Sequence, residues 1–243
     1  MQFEKIKNIT ESIRSDIFQT EEAIYLLKYI GNNSEKINEN YGIFFGRIQR
    51  ILEEYIINLL SKIFEKPKDY PLNSIPALRK HLKHAKDELI KFENYKEDNF
   101  LNSTTESLLE KIGINNIQQK SPLSDLIIKK MGQHFGNTKK IRTEIKNWRN
   151  KVYNHHERLN HEAVDLEYIS LREKTNLLND AKIYLSIIEN IYLDVNTVNY
   201  EGEQYLPTED AKSATIILNN LLIDTGLLER REARKDIQSL FKE

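Results

Sequence analysis

The sequence predicts an all-α protein, and three observations lead to that prediction. Apolar residues recur at three- and four-residue spacing along most of the chain, which is the period of an amphipathic helix. The 243 residues include only 8 Gly and 5 Pro, so the turn residues that sheet-rich folds need are scarce. Charged residues make up 30% of the chain, which suits helices with solvated faces.

The first two predicted helices are long. Residues 3–30 form the first, with a break near Ser15 left open, and its apolar stripe is Ile6, Ile9, Ile13 and Ile17. Gly31, Asn32 and Asn33 are expected to end it. The second ends before Pro67 and carries a longer stripe, Ile37, Tyr41, Phe44, Ile48, Ile51, Tyr55, Leu59 and Ile63. We expect this helix to be the spine of a bundle.

The middle of the chain alternates between helices and polar segments. Ser74 followed by Pro76 predicts the start of a helix, which continues to Phe92. Residues 93–121 form a predicted polar insertion over the bundle, with one short helix closed by Gly113. Helix resumes near Pro122, is expected to break over residues 132–136, and restarts at residue 138 as a basic helix with one apolar face. That face carries Ile141, Ile145, Trp148 and Val152.

The last third completes the predicted domain organisation. After a linker over residues 158–164, a long helix is expected from Leu166 to near Asn196, and the final region opens at Pro207. We therefore expect a helical bundle over residues 1–200 and a C-terminal helical extension over residues 201–243 packed on it. No internal repeat or sustained heptad run indicates another architecture.

Composition excludes several classes of site. The absence of Cys excludes disulfides, thiolate zinc sites and cysteine nucleophiles, and cytoplasmic localisation is the expectation. The longest uncharged stretch, residues 213–223, is shorter than the roughly 20 residues that span a bilayer, so no membrane partner is expected. The net charge of −1 means that nucleic-acid binding would depend on a local patch.

One segment, residues 147–157, carries a candidate catalytic motif. Arg149 is followed by the polar Asn150 and, after five intervening residues, by His155. This arrangement resembles the signature of the HEPN superfamily, and more closely its type U abortive-infection (Abi) branch, in which Arg, Asp or Asn, and Lys precede two variable residues, an Ala and the His. Here Asn154 replaces the Ala, and Glu157 stands where that branch often has Asp.

The resemblance extends upstream, to cover roughly residues 35–160. The pair Asn40 and Tyr41 opens the long apolar helix, which ends in Leu60, Ser61, Lys62, Ile63 and Phe64, as in that branch. The resemblance implies an antiparallel bundle of four to five main helices, here with extra C-terminal helices, paired as a homodimer whose motifs face each other. It also implies RNA cleavage in phage defence or a toxin–antitoxin pair, with an antitoxin or defence-system protein as partner.

The residue types suit metal-independent cleavage of RNA. When the 2′-hydroxyl of RNA attacks the adjacent phosphate, the reaction needs a base, an acid and positive charge on the phosphorane. Histidine transfers protons near neutral pH, and arginine binds phosphate with two parallel hydrogen bonds. We therefore assign catalysis to Arg149, Asn150 and His155, with Asn150 orienting the histidine or a phosphate oxygen. We expect no metal and no cofactor.

The identity of the base is left open between two histidines. On an unbroken helix of about 100° per residue, His155 lies about 120° from Arg149, whereas His156 lies only about 20° away. The motif alignment favours His155 if the helix ends or bends near Asn154. We assign His155 and retain His156 as the alternative.

Basic residues around the motif form a candidate RNA-binding surface. Residues 138–158 include seven basic side chains and two acidic ones, and such a patch can follow a phosphate backbone. The predicted RNA-binding residues are Lys139, Lys140, Arg142, Lys146 and Lys151. A solvated helix face is the alternative explanation, and Trp148 is interpreted as a core residue rather than a stacking platform for a base.

Two other functions compete with the endoribonuclease hypothesis. The chain could be a non-catalytic HEPN module that binds a partner protein, RNA or a nucleotide, because fold and chemistry can separate. It could also be a structural helical protein in which Arg149 and His155 pack or cap a helix end. His81 and His84 have a spacing that metals use, but no third ligand is obvious, so we interpret them as surface residues.

Overall fold

The computed structural model describes residues 2–67, 71–95, 103–115, 122–150, 167–193 and 209–229, together with 237, 240 and 241. All regular elements within this described part are helices, which confirms the predicted all-α class. In chain order they are α1 (Gln2–Asn32), α2 (Ser34–Phe64), α3 (Ile75–His84), α4 (Lys86–Tyr95), α5 (Ser103–Lys111), α6 (Leu123–Asn137), α7 (Lys139–Trp148), α8 (Leu171–Tyr192), a 3-10 turn (Glu209–Lys212) and α9 (Ser213–Asp224).

Helices α1 and α2 form an antiparallel pair. Asp16 of α1 bonds to Lys62 at 2.8 Å, whereas Gln19, further along α1, accepts from Tyr55, which comes earlier on α2. The contact partners therefore run in opposite directions. Only Asn33 separates the two helices, so the chain reverses almost at once. The isoleucine stripe of α1 is buried in the main core, as its spacing predicts.

Helix α8 packs against α1 and is also antiparallel to it. Arg14 contacts Glu189 at 2.6 Å and Glu21 contacts Lys182 at 2.7 Å, so both ion pairs join the same two helices in opposite order. The Glu189 side chain is fully buried, and burial raises its pKa even though the Arg14 guanidinium opposes that shift. Breaking a buried pair leaves an uncompensated charge, which fixes the register of α8 on α1.

Helix α2 differs from its prediction in two ways. Tyr41 has a non-helical backbone (φ −132°, ψ 18°), so the Asn40–Tyr41 pair lies at a kink inside the helix rather than at its start. The predicted apolar stripe is also buried only at its two ends. In its middle Phe44 is 59% exposed and Ile51 is 64% exposed, so this part of the helix is not a spine.

The structure differs from several predicted boundaries, and it resolves the break near Ser15 that the sequence left open. Helix α1 passes Ser15 without a break, and α6 continues through Gly132 and Gly136 to residue 137. The predicted helix from Ser74 to Phe92 is interrupted at Ala85, between α3 and α4. Its start is confirmed, because the Ser74 hydroxyl accepts a hydrogen bond from the backbone N–H of Ala77 at 3.3 Å.

The polar segment after α4 contributes to the core. Helix α5 is longer than predicted, and its Leu108 and Leu109 are fully buried in the main core. This described portion is therefore part of the bundle rather than an insertion over it. The turn that follows has Gly113 at φ +77°, a left-handed conformation that suits glycine and ends the helix as predicted.

The C-terminal helices pack on the bundle around a second apolar cluster. Tyr29 of α1 donates a hydrogen bond to Asn219 of α9 at 2.8 Å, and Leu222 lies in the cluster beside it. Helix α8 begins at Leu171, later than predicted, because Ser170 and Glu173 form a reciprocal capping box. Among the described helices, none is long and apolar enough to cross a membrane.

Candidate functional site

The candidate catalytic arginine lies at the end of α7. The α-helix ends at Trp148, and Arg149 and Asn150 continue it as a π-helical turn, a local widening that is frequent at functional sites. Trp148 fixes this end of the helix because its ring packs on the core and its Nε1–H donates to the Glu167 carbonyl at 2.9 Å. The prediction that Trp148 is a core residue rather than an exposed platform is consistent with this packing.

The other motif residues lie outside the described part of the chain. They are Lys151, Val152, Tyr153, Asn154, His155, His156 and Glu157. The choice between His155 and His156 therefore remains a prediction. The turn at Arg149 does bear on the helix-angle argument for His156, because that argument assumes uniform α-helix from Arg149 onward and the α-helix ends one residue earlier.

Arg149 is held by two neighbours. Its Nη1 donates to Glu65 Oε2 at 2.7 Å and its Nη2 to Glu65 Oε1 at 3.3 Å, a bidentate ion pair in which both side chains are mostly buried. Its Nε donates to Asn150 Oδ1 at 3.1 Å. A guanidinium has five N–H donors, so these contacts leave one on each terminal nitrogen. The side chain is thereby fixed in direction, and among the described residues two of its N–H donors remain unused.

Glu65 is a site residue that the sequence analysis missed. It is the first residue after α2 and has an extended backbone, so the helix ends before it. The available signal was a lone acidic residue between the apolar stripe of α2 and Pro67, placed where the resemblance covers the chain. That signal has no distinctive spacing from Arg149, because the two residues are 84 positions apart.

A basic cleft adjoins this ion pair. The cleft, of about 750 Å³, lies between the C-terminal end of α2, the start of α3, the end of α6 and one face of α7, and Glu65 forms part of its wall. The cationic residues that line it are Lys66, Arg79, Lys80, Lys139, Arg142 and Lys146. Cations that are separated in the sequence are thus brought to one concave surface.

The structure sorts the predicted RNA-binding residues into two groups. Lys139, Arg142 and Lys146 line the cleft, as a shared role requires. Lys140 does not line it, because its ammonium bonds to Glu167 at 2.7 Å, and the hydrogen bond and charge of that carboxylate raise the pKa of Lys140. Lys140 is therefore set apart from the three residues that line the cleft, and its role in RNA binding stays a prediction.

Arg142 enters the cleft from the α7 side. Its Nε donates to Thr138 Oγ1 at 3.2 Å, its Nη2 donates to the Phe135 carbonyl, and its guanidinium lies 5.1 Å from the centre of the Phe135 ring. Burial lowers the pKa of Arg142, because the charged form has lost part of its solvation. The side chain is therefore a fixed, partly desolvated cation.

Arg79 enters the cleft from the α3 side, across α6. Its Nε donates to the Ile128 carbonyl at 3.0 Å, and its guanidinium lies on the backbone of Gly132. A Cβ at Gly132 would stand 2.3 Å from Arg79 Nη2, so only glycine permits this placement. Gly136, one turn later on the same face of α6, borders open space in the cleft. The absence of side chains at these two glycines therefore leaves this side of the cleft open.

The cleft carries a surplus of positive charge. Within the described part of the chain, its six cationic residues form no ion pair with a carboxylate, and the acidic Glu65 at the wall is paired with Arg149. An anion placed there would recover the attraction that these side chains lack, most strongly at the two partly buried arginines.

Other titratable clusters are smaller. His134 Nε2 lies 3.4 Å from Asp180 Oδ2 in a separate cavity of about 250 Å³ that Tyr184 also lines. Burial lowers the pKa of His134 and raises that of Asp180 to about 6. His81 and His84 lie together on α3, and no group of three His, Asp or Glu residues in the described part could hold a metal.

Comparisons of the chain with models of protein families, with curated proteins and with solved structures found no match.

Proposed function

We propose that this protein is a metal-independent endoribonuclease of the HEPN type, acting as an effector in phage defence or in a toxin–antitoxin pair. The single observation that supports it best is the state of Arg149. Glu65 and Asn150 fix its guanidinium at the edge of a cationic cleft, with two N–H donors remaining for a phosphate. A fixed cation that needs no rearrangement is what stabilisation of a phosphorane requires.

The proposed reaction uses the substrate's own hydroxyl. His155 removes the proton from a ribose 2′-OH, and the 2′ oxygen attacks the adjacent phosphorus. Arg149 stabilises the added negative charge on the phosphorane oxygens. The bond between phosphorus and the 5′ oxygen then breaks, and a protonated histidine supplies the proton to that oxygen. The products are a 2′,3′-cyclic phosphate and a 5′-hydroxyl, and no oxidant or metal enters the balance.

The proposal includes a homodimer, because one motif supplies too few groups for both proton transfers. A second copy would bring a second Arg149 and a second His155 to the same phosphate. The sequence-based expectation places α7 at the interface. The exposed large apolar side chains of the described helices lie instead on α2 and α9, for example Phe44, Ile51 and Ile217. These two faces are therefore alternative candidates to α7 for the dimer interface.

A specific observation also favours a second candidate, a non-catalytic module. The Glu65 carboxylate neutralises Arg149 and uses two of its donors, as a purely structural tie between α2 and α7 would. In that case the basic cleft would bind its partner without any chemistry. Cleavage of RNA separates the two candidates directly.

The test of the proposed function is incubation of the purified chain with single-stranded RNA in EDTA, followed by analysis of the fragment ends. Wild type should produce 2′,3′-cyclic phosphate ends, and Arg149→Lys and His155→Ala should not. A preparation that binds RNA but leaves it intact would favour the non-catalytic module.

A further inference from the structure

We propose that the basic cleft is a phosphate-binding subsite that holds the backbone of single-stranded RNA next to the phosphate at Arg149. The inference rests on the proposed function and deepens it. It specifies a single-stranded substrate and names residues outside the motif that bind it. The sequence analysis assigned no role to Arg79, Lys80, Lys66, Gly132 or Gly136, all of which line this cleft.

The charge of the cleft suits a phosphate. Arg79 and Arg142 are each tethered to α6 by hydrogen bonds to backbone carbonyls, which fix their direction without neutralising them. Within the described residues neither has a carboxylate partner. Two fixed, half-buried guanidiniums facing one cleft are arranged for an anion with several oxygens, because a guanidinium binds phosphate through parallel N–H donors.

The size of the cleft suits a single strand. A concave site of about 750 Å³ is of the size that encloses a small ligand or one nucleotide of a strand, not a duplex. The phosphates of a single strand can enter it one at a time, as they do in grooves that track single-stranded nucleic acid. Lys66, Lys80, Lys139 and Lys146 are exposed around the two arginines, where they can follow the phosphates on either side.

The cleft is also continuous with the ion pair of Arg149. Lys146 is three residues before Arg149, so both lie on neighbouring turns of one helix end, and Glu65 belongs to the wall of the cleft as well as to the ion pair. A strand whose phosphate binds Arg149 would therefore pass beside the wall of the cleft.

The decisive test fills the cleft without changing its charge. Gly136 lines the cleft and a Cβ added there meets no atom within 4 Å, and Gly46 on α2 has the same open surroundings outside the cleft. Gly136→Leu and Gly46→Leu are therefore matched. The probe is a fluorescein-labelled single-stranded 2′-deoxyoligonucleotide, which binds without being cut, and the readout is fluorescence anisotropy.

We expect Gly136→Leu to weaken binding about tenfold or more, and Gly46→Leu to leave it within about twofold of wild type, with both thermal midpoints close to wild type. Equal binding by the two variants would overturn the inference. Lys139→Gln gives a second readout that needs no change in packing. It should lower the slope of log affinity against log salt by about 0.7, whereas Lys140→Gln, which removes the neighbouring lysine outside the cleft, should not.

Gly132→Ala tests the arginine. The new Cβ displaces the end of the Arg79 side chain, so binding should weaken several-fold while α6 gains helix propensity. Inorganic triphosphate distinguishes a strand from a small phosphate compound. Competition between triphosphate and the oligonucleotide is expected, and binding of triphosphate alone would overturn the assignment to a strand.

The same variants separate this inference from the proposed function. If wild type binds the oligonucleotide through the cleft but does not cut RNA, the ribonuclease proposal fails and the subsite stands. If Gly136→Leu cuts RNA with an unchanged kcat/KM, the ribonuclease proposal stands and the subsite is wrong.

Discussion

Glu65 and Arg149, which lie 84 residues apart in sequence, form a bidentate ion pair that joins the end of α2 to the end of α7. The carboxylate limits the directions in which the guanidinium can point, and it also reduces the net charge that Arg149 presents to a phosphate. Under the proposed function, these two effects would act in opposite senses on substrate binding and on catalysis, so they can be measured separately.

Glu65→Gln should lower kcat for RNA cleavage by about tenfold to a hundredfold, because Arg149 loses the partner that orients it. The same change removes a negative charge beside the cleft, so KM for RNA should stay the same or fall. Steady-state kinetics on a short RNA measures both constants. Glu53→Gln, which changes another acidic residue of α2 away from the cleft, is the control. A raised KM with unchanged kcat would show that Glu65 has no orienting role.

Arg149→Ala should abolish cleavage and also destabilise the fold by about 1 to 3 kcal/mol. The sequence alone suggests that stability would be nearly unchanged, because polar site residues usually contribute little to the core. The structure revises that expectation, since the substitution leaves the mostly buried Glu65 carboxylate without its ion-pair partner. Urea unfolding measures the loss. Arg149→Ala combined with Glu65→Gln should recover part of it without recovering cleavage.

His155→Ala should abolish cleavage while leaving thermal stability close to wild type, and His156→Ala should retain activity. The expectation follows from the motif alignment, in which His155 supplies the proton transfers. Cleavage rates at saturating RNA measure the activity of each variant, and circular dichroism shows whether it is folded. An inactive His156→Ala beside an active His155→Ala would reverse the assignment.

Sequence and structure agree best on the apolar pattern of the helices. The isoleucine spacing of α1 and the Ser74 helix start follow from local physics, and both are present. The continuous helix through Gly132 and Gly136 does not follow from propensity, and no local pattern shows that the Arg79 guanidinium occupies the space beside Gly132. The sequence also does not reveal that the middle of the α2 stripe is exposed. Periodicity identifies an apolar face but not the residues that cover it.

The candidate site was predictable only where its residues are neighbours in the chain. Arg149 and Asn150 were found through their spacing, and the lysines of α7 through their density. Glu65 and Arg79 reach the site through tertiary packing, and no local pattern marks them. The separation of Lys140 from Lys139 likewise depends on Glu167, which the fold places beside one lysine and not the other.

Asp180→Asn should stabilise the protein at neutral pH but not in acid. Burial raises the pKa of Asp180 from 3.8 to about 6, so the native state binds its proton more tightly than the unfolded state. Stability contributed by this group is therefore present below about pH 4 and is lost as pH rises to about 6. Because the side chain is 37% exposed, we expect a gain of only about 1 kcal/mol above pH 7.

Urea unfolding of wild type and Asp180→Asn at about pH 4 and about pH 7.5 tests this difference. His134, whose pKa burial lowers, contributes with the opposite sign, but it is present in both proteins and its own effect largely cancels. A gain in the free energy of unfolding of the same size at both pH values would contradict the raised pKa of Asp180.

Light scattering at micromolar concentration should show a dimer, as the composite site requires. Phe44→Glu places a charge in the exposed apolar middle of α2. If α7 forms the interface, this variant stays dimeric, and if α2 forms it, the variant dissociates. A strictly monomeric wild type would count against the composite site.

The most direct measurement of the central claim is the nature of the ends that the purified protein makes. A single-stranded RNA and the DNA of the same sequence are incubated with it in EDTA, and the fragments are analysed by mass spectrometry. The account predicts 2′,3′-cyclic phosphate and 5′-hydroxyl ends from RNA, uncut DNA, and no products from Arg149→Lys. Cleavage of the DNA, or loss of RNA cleavage when EDTA is added, would contradict it.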